Sequence, residues 1–89
     1  MFEMRFSQKA SKFVRRCDKK VQKRLKTLFE VLQQNPLPVR YFDLRKIARE
    51  KNTYRIRIGP YRIIYAVYWE VRLVRVIKIE RRKESTYKF

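Results

Sequence analysis

The sequence predicts an α+β fold: a largely antiparallel sheet packed against a two-helix hairpin, in the order β-α-α-β-β-β. Three observations predict it. A short alternating segment opens the chain, two helical segments follow, and nearly everything from residue 41 to residue 80 reads as strands broken by turns. With 89 residues, 45% of them hydrophobic, the chain is expected to form one domain over 1–89 around a single modest core.

The elements are justified in order. "MFEMRFS" alternates Phe2, Met4 and Phe6 against Glu3 and Arg5, the pattern of a first strand with one buried face. Ser7 and Ser11 suit the cap of a short helix carrying Ala10, Phe13 and Val14. Asp18 is a good N-cap for a longer helix in which Val21, Leu25, Leu28 and Leu32 recur at spacings of 4, 3 and 4, and Asn35-Pro36 stops it. Lys19, Lys20, Lys23, Arg24 and Lys26 take most of the remaining surface of that helix. "YFDLRKI" reads as a short strand and Arg49 to Asn52 as a loop. Strands then run through to Glu80, with "VRLVRVIKIE" as the last, before a charged tail, "RRKESTYKF".

The most informative stretch is "YRIRIGPYRIIY", residues 54–65. Gly59-Pro60 fits a two-residue turn: glycine accepts the positive φ of the first corner and proline the second. A turn there pairs Ile58 with Tyr61, Arg57 with Arg62, Ile56 with Ile63 and Tyr54 with Tyr65. Alternation sends Tyr54, Ile56, Ile58, Tyr61, Ile63 and Tyr65 to the core face, and Arg55, Arg57 and Arg62 to the other. Like charges facing each other across strands cost roughly 0.2–1 kcal/mol. No Asp or Glu lies between Lys51 and Trp69 to offset that cost. A charge-assisted hydrogen bond to a phosphate contributes ~1.5–3 kcal/mol. The cluster therefore reads as an anion site on the open face of the sheet, against the blander reading of arginines splayed into water. Lysine is common elsewhere in the chain, so three arginines here point to bidentate phosphate binding.

The charge balance agrees. Twenty-five Lys and Arg against 8 Asp and Glu give +17, a self-repelling surface that calls for an anionic partner. Nucleic acid comes first, an acidic protein next and a membrane surface third; a thermophile's charged surface explains abundant charge but not scarce acids. Arg81 and Arg82 leave the last strand together and Tyr87 follows, an aromatic placed to stack on an unpaired base, or else a packing residue. The chain has no His and one Cys, which excludes an ordinary zinc site, His-based acid–base chemistry and an internal disulfide. No metal or cofactor is expected. No apolar run approaches a membrane span and the N-terminus lacks a signal peptide's apolar stretch, so a reducing cytoplasm is the expected location.

Over nearly its whole length the sequence resembles the RelE-type toxins of the RelE/ParE superfamily, above all the archaeal ones. The residues that carry the resemblance are the Pro-bearing "NPLPVRYFDL", the hairpin "YRIRIGPYRIIYAV" and the end "VIKIERRKESTY". The resemblance implies a microbial-RNase-like sheet with two helices packed on it. It implies an endoribonuclease that enters the ribosomal decoding site and cuts mRNA, activating a ribose 2′-hydroxyl to attack the adjacent phosphate. It also implies a RelB-type antitoxin as partner, alongside ribosome and mRNA. By position, the two basic residues of the first hairpin strand fall at Arg55 and Arg57, and the phosphate-binding arginine at Arg62. The arginine that protonates the leaving group falls at Arg82, with Arg81 beside it, and the stacking aromatic at Tyr87. Lys19, Lys20, Lys23 and Lys26 would contact rRNA backbone or an acidic antitoxin.

Two departures from the family pattern matter. Bacterial relatives carry lysines where this chain has Arg55 and Arg57, and an arginine cannot act as a base near neutrality. The tail between Arg82 and Tyr87 is one residue shorter than in the best-known bacterial pattern. A ParE-like gyrase inhibitor and a non-catalytic nucleic-acid-binding relative are the other classes the sequence admits. Retention of Arg55, Arg57, Arg62, Arg82 and Tyr87 together argues for the nuclease.

Overall fold

The computed structural model describes residues 1–82. Its elements are β1 (Glu3–Phe6), α1 (Gln8–Arg16), α2 (Lys19–Gln34), β2 (Asp43–Lys46), β3 (Thr53–Ile58), β4 (Tyr61–Tyr68) and β5 (Leu73–Arg81), with a 3-10 turn at Trp69–Val71. The fold class is the expected one. Four strands rather than three follow the helices, and the sheet order is β1-β5-β4-β3-β2. Every neighbouring pair is antiparallel except β1 with β5, which run parallel at one edge.

Both helices start where the sequence places their caps. The Asp18 carboxylate accepts from Val21 N at 2.9 Å, and the Ser7 hydroxyl accepts from Ala10 N at 3.1 Å. Ser7 also donates to the carbonyl of Ile77 at 2.5 Å, which ties the start of α1 to β5. That carbonyl sits where β5 carries an extra residue against β4: Ile64 pairs with Lys78 but Tyr65 with Val76. The bulge changes which side chains face inward. Val74 and Val76 are buried ahead of it and Ile79 beyond it, so Lys78 and Glu80 fall on the outer face.

The core lies between the helices and one face of the sheet. Leu25, Leu28 and Leu32 of α2 and Ala10 of α1 pack over Ile56, Ile63, Tyr65, Val67, Val74 and Val76. Phe6, expected inside, is 39% exposed at the edge strand and stacks edge-on against Phe29 of α2, ring centroids 4.9 Å apart. Tyr65 is fully buried, and its hydroxyl donates to the carbonyl of Pro36 at 2.7 Å, so the residue that ends α2 is held by the middle of β4.

The β3–β4 hairpin has the predicted register throughout: Ile58 opposite Tyr61, Arg57 opposite Arg62, Ile56 opposite Ile63 and Tyr54 opposite Tyr65. Gly59 has φ +55°, and a β-carbon there would lie 3.3 Å from the Arg24 guanidinium of α2. Gly59→Ala is therefore expected to lower stability by about 1–2 kcal/mol, the cost of a left-handed conformation for an L-residue. A urea midpoint equal to wild type would show that the turn does not need glycine.

Candidate functional site

The register of four strands lines up one row of side chains across the outer face of the sheet. Asp43 pairs with Arg57, Arg57 with Arg62, and Arg62 with Glu80. Two facing arginines thus have a carboxylate at each end of their row. The row lines an open cleft of about 580 Å³, bounded at the hairpin-turn end of the strands by Gly59, Pro60, Arg81 and Arg82. The backbone N–H of Arg82 donates to the carbonyl of Pro60 at 2.7 Å, which fixes the end of β5 against the hairpin turn.

The acids were not expected. Locally the arginines have none, but β2 and β5 bring them in from residues 43 and 80. Glu80 lies 3.8 Å from Arg62 and 3.0 Å from Lys78, and Asp43 lies 3.7 Å from Arg55. The contacts at 3.7 and 3.8 Å are ion pairs too long to be hydrogen bonds. The Arg62–Glu80 pair is about half-exposed on both sides and contributes little, up to about 1 kcal/mol, whereas the Arg55–Asp43 pair is half-exposed only at Asp43. They soften the Arg57–Arg62 repulsion without consuming the donors of either arginine. Among the described residues Arg57 forms no ion pair, and it is exposed.

Arg55 differs from the expectation in its burial. Alternation does put it on the outer face, but it is only 8% exposed, and its Nη1 is buried without a hydrogen-bond partner. Burial, and next the charge of Arg57, pull its pKa below the usual guanidinium value, with Asp43 opposing. Arg55 therefore lies buried beside the cleft, which it does not line, while Arg57 and Arg62 line it. It sits on the inner strand β3 between Arg45 of β2 and Ile64 of β4.

The other predicted residues divide. Arg81 pairs with Tyr61 on the helix side of the sheet, its guanidinium 5.9 Å from the Tyr61 ring, and it borders both the arginine cleft and a second groove. That groove, of about 610 Å³, has an apolar floor of Phe13, Val21, Tyr61 and Ile79 and a mainly basic rim bearing Lys9, Lys12, Arg16 and Arg81 beside the acid Asp18. Lys19, Lys20, Lys23 and Lys26 are exposed on α2, and none of them lines the arginine cleft. Tyr87 lies outside the described residues. Asp43 and Glu80 are the site residues that sequence reasoning missed. The available signal was the spacing of Lys78 and Glu80 along one strand, and it could not be used without knowing where the bulge falls.

Chemically, the cleft offers guanidinium donors converging on an open space, with carboxylates at its ends. The one thiol is not a nucleophile candidate: burial, and then Asp18, push the Cys17 pKa up, and its Sγ donates to the Phe13 carbonyl at 3.2 Å on the helix side. No cluster of metal-ligating side chains occurs among the described residues. No helix among them is long and apolar enough to cross a membrane.

Fold and sequence together define the class. Residues 4–86 match the family described as "ParE toxin of type II toxin-antitoxin system, parDE", and the chain belongs to this ParE/RelE family of type II toxins. It is 41% identical over 66 residues to the RelE1 protein of Methanocaldococcus jannaschii, covering 74% of this chain and 72% of that one. Among solved structures it resembles the archaeal RelE of a RelE–RelB complex from Pyrococcus horikoshii, with a TM-score of 0.83 and 25% identity, over 93% of this chain and 97% of the other. The isolated RelE toxin of E. coli shares the fold at a TM-score of 0.79 and 23% identity, over 96% and 88%.

Proposed function

We propose that this toxin is a ribosome-dependent mRNA endonuclease that stops translation by cutting in the decoding site. The observation that carries this reading is the facing pair Arg57 and Arg62 in an open cleft. Two guanidinium groups held side by side on a rigid sheet match the non-bridging oxygens of one phosphate, and they strengthen as negative charge builds on it in the transition state. Binding a phosphate also removes the like-charge repulsion between them, so the free protein is arranged for that ligand. Arg82, at the end of β5, is the residue we assign to the leaving 5′-oxygen; Arg81 supports RNA binding from the rim. Tyr87 is assigned to stacking on the mRNA by family position alone, and Lys19, Lys20, Lys23 and Lys26 to phosphates of rRNA on the other side of the molecule. A chain without histidine lacks a strong proton shuttle, which explains why the ribosome would have to supply the substrate's geometry.

The partner that restrains the toxin is, in this reading, a RelB-type antitoxin; the Pyrococcus horikoshii relative was solved in a RelE–RelB complex. The groove floored by Phe13, Val21, Tyr61 and Ile79 and rimmed by lysines has the chemistry to receive an acidic amphipathic segment. Arg81 borders both it and the cleft, so a segment seated there would also disturb the site.

The test is cleavage of mRNA on programmed ribosomes, mapped by primer extension, beside naked mRNA and an Arg62→Ala, Arg82→Ala double variant. Cuts within the decoding-site codon that need the ribosome and vanish in the variant are the expected result. A wild-type protein that cuts nothing would overturn the reading, and gyrase inhibition would be the next assay.

A further inference from the structure

Among the described residues the cleft is lined by no histidine or lysine, and its arginines cannot take up a proton, yet the proposed reaction needs the 2′-hydroxyl to lose one. Among the described residues Asp43 and Glu80 are the two carboxylates that line it. Their positions are not equivalent. Glu80 is on β5, the strand that ends at Arg81 with Arg82 just beyond it, and it is held between Lys78 and Arg62. Asp43 is at the opposite end of the row, on the edge strand β2, with its side chain 51% exposed and, among the described residues, only Arg55 within ion-pair distance.

In-line displacement requires the attacking and leaving oxygens on opposite sides of phosphorus. Neighbouring strands are about 4.8 Å apart, so Asp43 stands roughly 14 Å along the row from Glu80, with the two arginines between them. A phosphate over Arg57 and Arg62, with its leaving oxygen toward Arg82, directs the 2′-hydroxyl toward β2. We infer that Asp43 is the general base of this enzyme, the carboxylate that accepts the 2′-hydroxyl proton. The inference rests on the endonuclease reading.

The step balances without any other reactant. The Asp43 carboxylate takes the proton from the 2′-oxygen, which bonds to phosphorus as the phosphorus–5′-oxygen bond breaks. The 5′-oxygen takes a proton from water or from Arg82, which at once regains one from water, giving a 2′,3′-cyclic phosphate and a free 5′-hydroxyl, and Asp43 afterwards returns its proton to water. Glu80 has a different part: it holds Arg62 in the row until RNA arrives.

The test uses single-turnover cleavage on ribosomes carrying either ordinary mRNA or mRNA with sulfur in place of the scissile 5′-oxygen. Sulfur leaves without needing a proton. Asp43→Asn is expected to bind programmed ribosomes as wild type does and to cleave about 10²–10⁴-fold more slowly, the usual contribution of a general base. The defect should persist on the sulfur substrate, where Arg82→Ala should recover its rate. Asp43→Glu, which keeps the carboxylate, should cleave faster than Asp43→Asn. An Asp43→Asn variant as fast as wild type overturns the inference and leaves the endonuclease reading standing; so does recovery of that variant on the sulfur substrate, which would place Asp43 on the leaving-group side. A wild-type protein that cleaves neither mRNA overturns both.

Discussion

Arg62→Ala is expected to abolish cleavage and toxicity while leaving the thermal midpoint where it was. Removing one donor from a preorganised oxyanion-type site costs about 10²–10³ in rate, and here the companion Arg57 would be left to hold the phosphate alone. Stability should not follow. The Arg62 side chain is 45% exposed and packs on the outer face. Its ion partner Glu80 keeps the ammonium of Lys78 at 3.0 Å, so no charge is left stranded. Losing a like-charge neighbour of Arg57 offsets the lost pair, and the net change should fall within about 0.5 kcal/mol, as for most surface positions. Growth arrest on induction, read beside a calorimetric scan, checks both halves. A variant that stays fully toxic would remove Arg62 from the site.

Tyr65→Ala is expected to do the reverse: to unfold the protein rather than disarm it. Truncating a large buried aromatic costs about 3–5 kcal/mol, much of the 5–15 kcal/mol that holds a typical domain together. The loss here also strands the Pro36 carbonyl, which accepts from the Tyr65 hydroxyl at 2.7 Å. Tyr65→Phe separates the two terms, keeping the ring and giving up about 1 kcal/mol for the hydrogen bond. A pH signature accompanies it. Burial, and then Tyr54, push the Tyr65 pKa far above its ordinary value near 10, so the folded state keeps a proton that the unfolded state releases above that pH. Stability should therefore fall as pH rises above about 10, and Tyr65→Phe should lack that portion of the fall. A Tyr65→Ala variant as stable as wild type would mean that the two faces of the hairpin are reversed.

The hairpin was readable in the sequence because its determinants are local. Gly59-Pro60 admits one kind of turn, the turn fixes the register, and a period of two then assigns every side chain from Tyr54 to Tyr65 to a face. The helix caps at Ser7 and Asp18 and the stop at Asn35-Pro36 were readable for the same reason. The basic character of the outer face followed from counting charges on one strand pair. The site's acids did not follow, because Asp43 meets Arg57 only through β2–β3 pairing and Glu80 meets Arg62 only through β4–β5 pairing. Such registers are set by which strands become neighbours.

The sequence by itself thus determined an α+β fold with an arginine-bearing hairpin, and its resemblance to RelE-type toxins pointed to the family. Local turn chemistry, capping and alternation suffice for the fold and the hairpin, and they act over a few residues. Tertiary structure alone decided three further things. The β5 bulge turned Lys78 and Glu80 outward, the tertiary surroundings of β3 buried Arg55 while leaving Arg57 exposed, and the order β5-β4-β3-β2 placed a carboxylate at each end of the arginine pair. Each depends on the free energy of packing whole strands side by side, and no window of the chain contains that information.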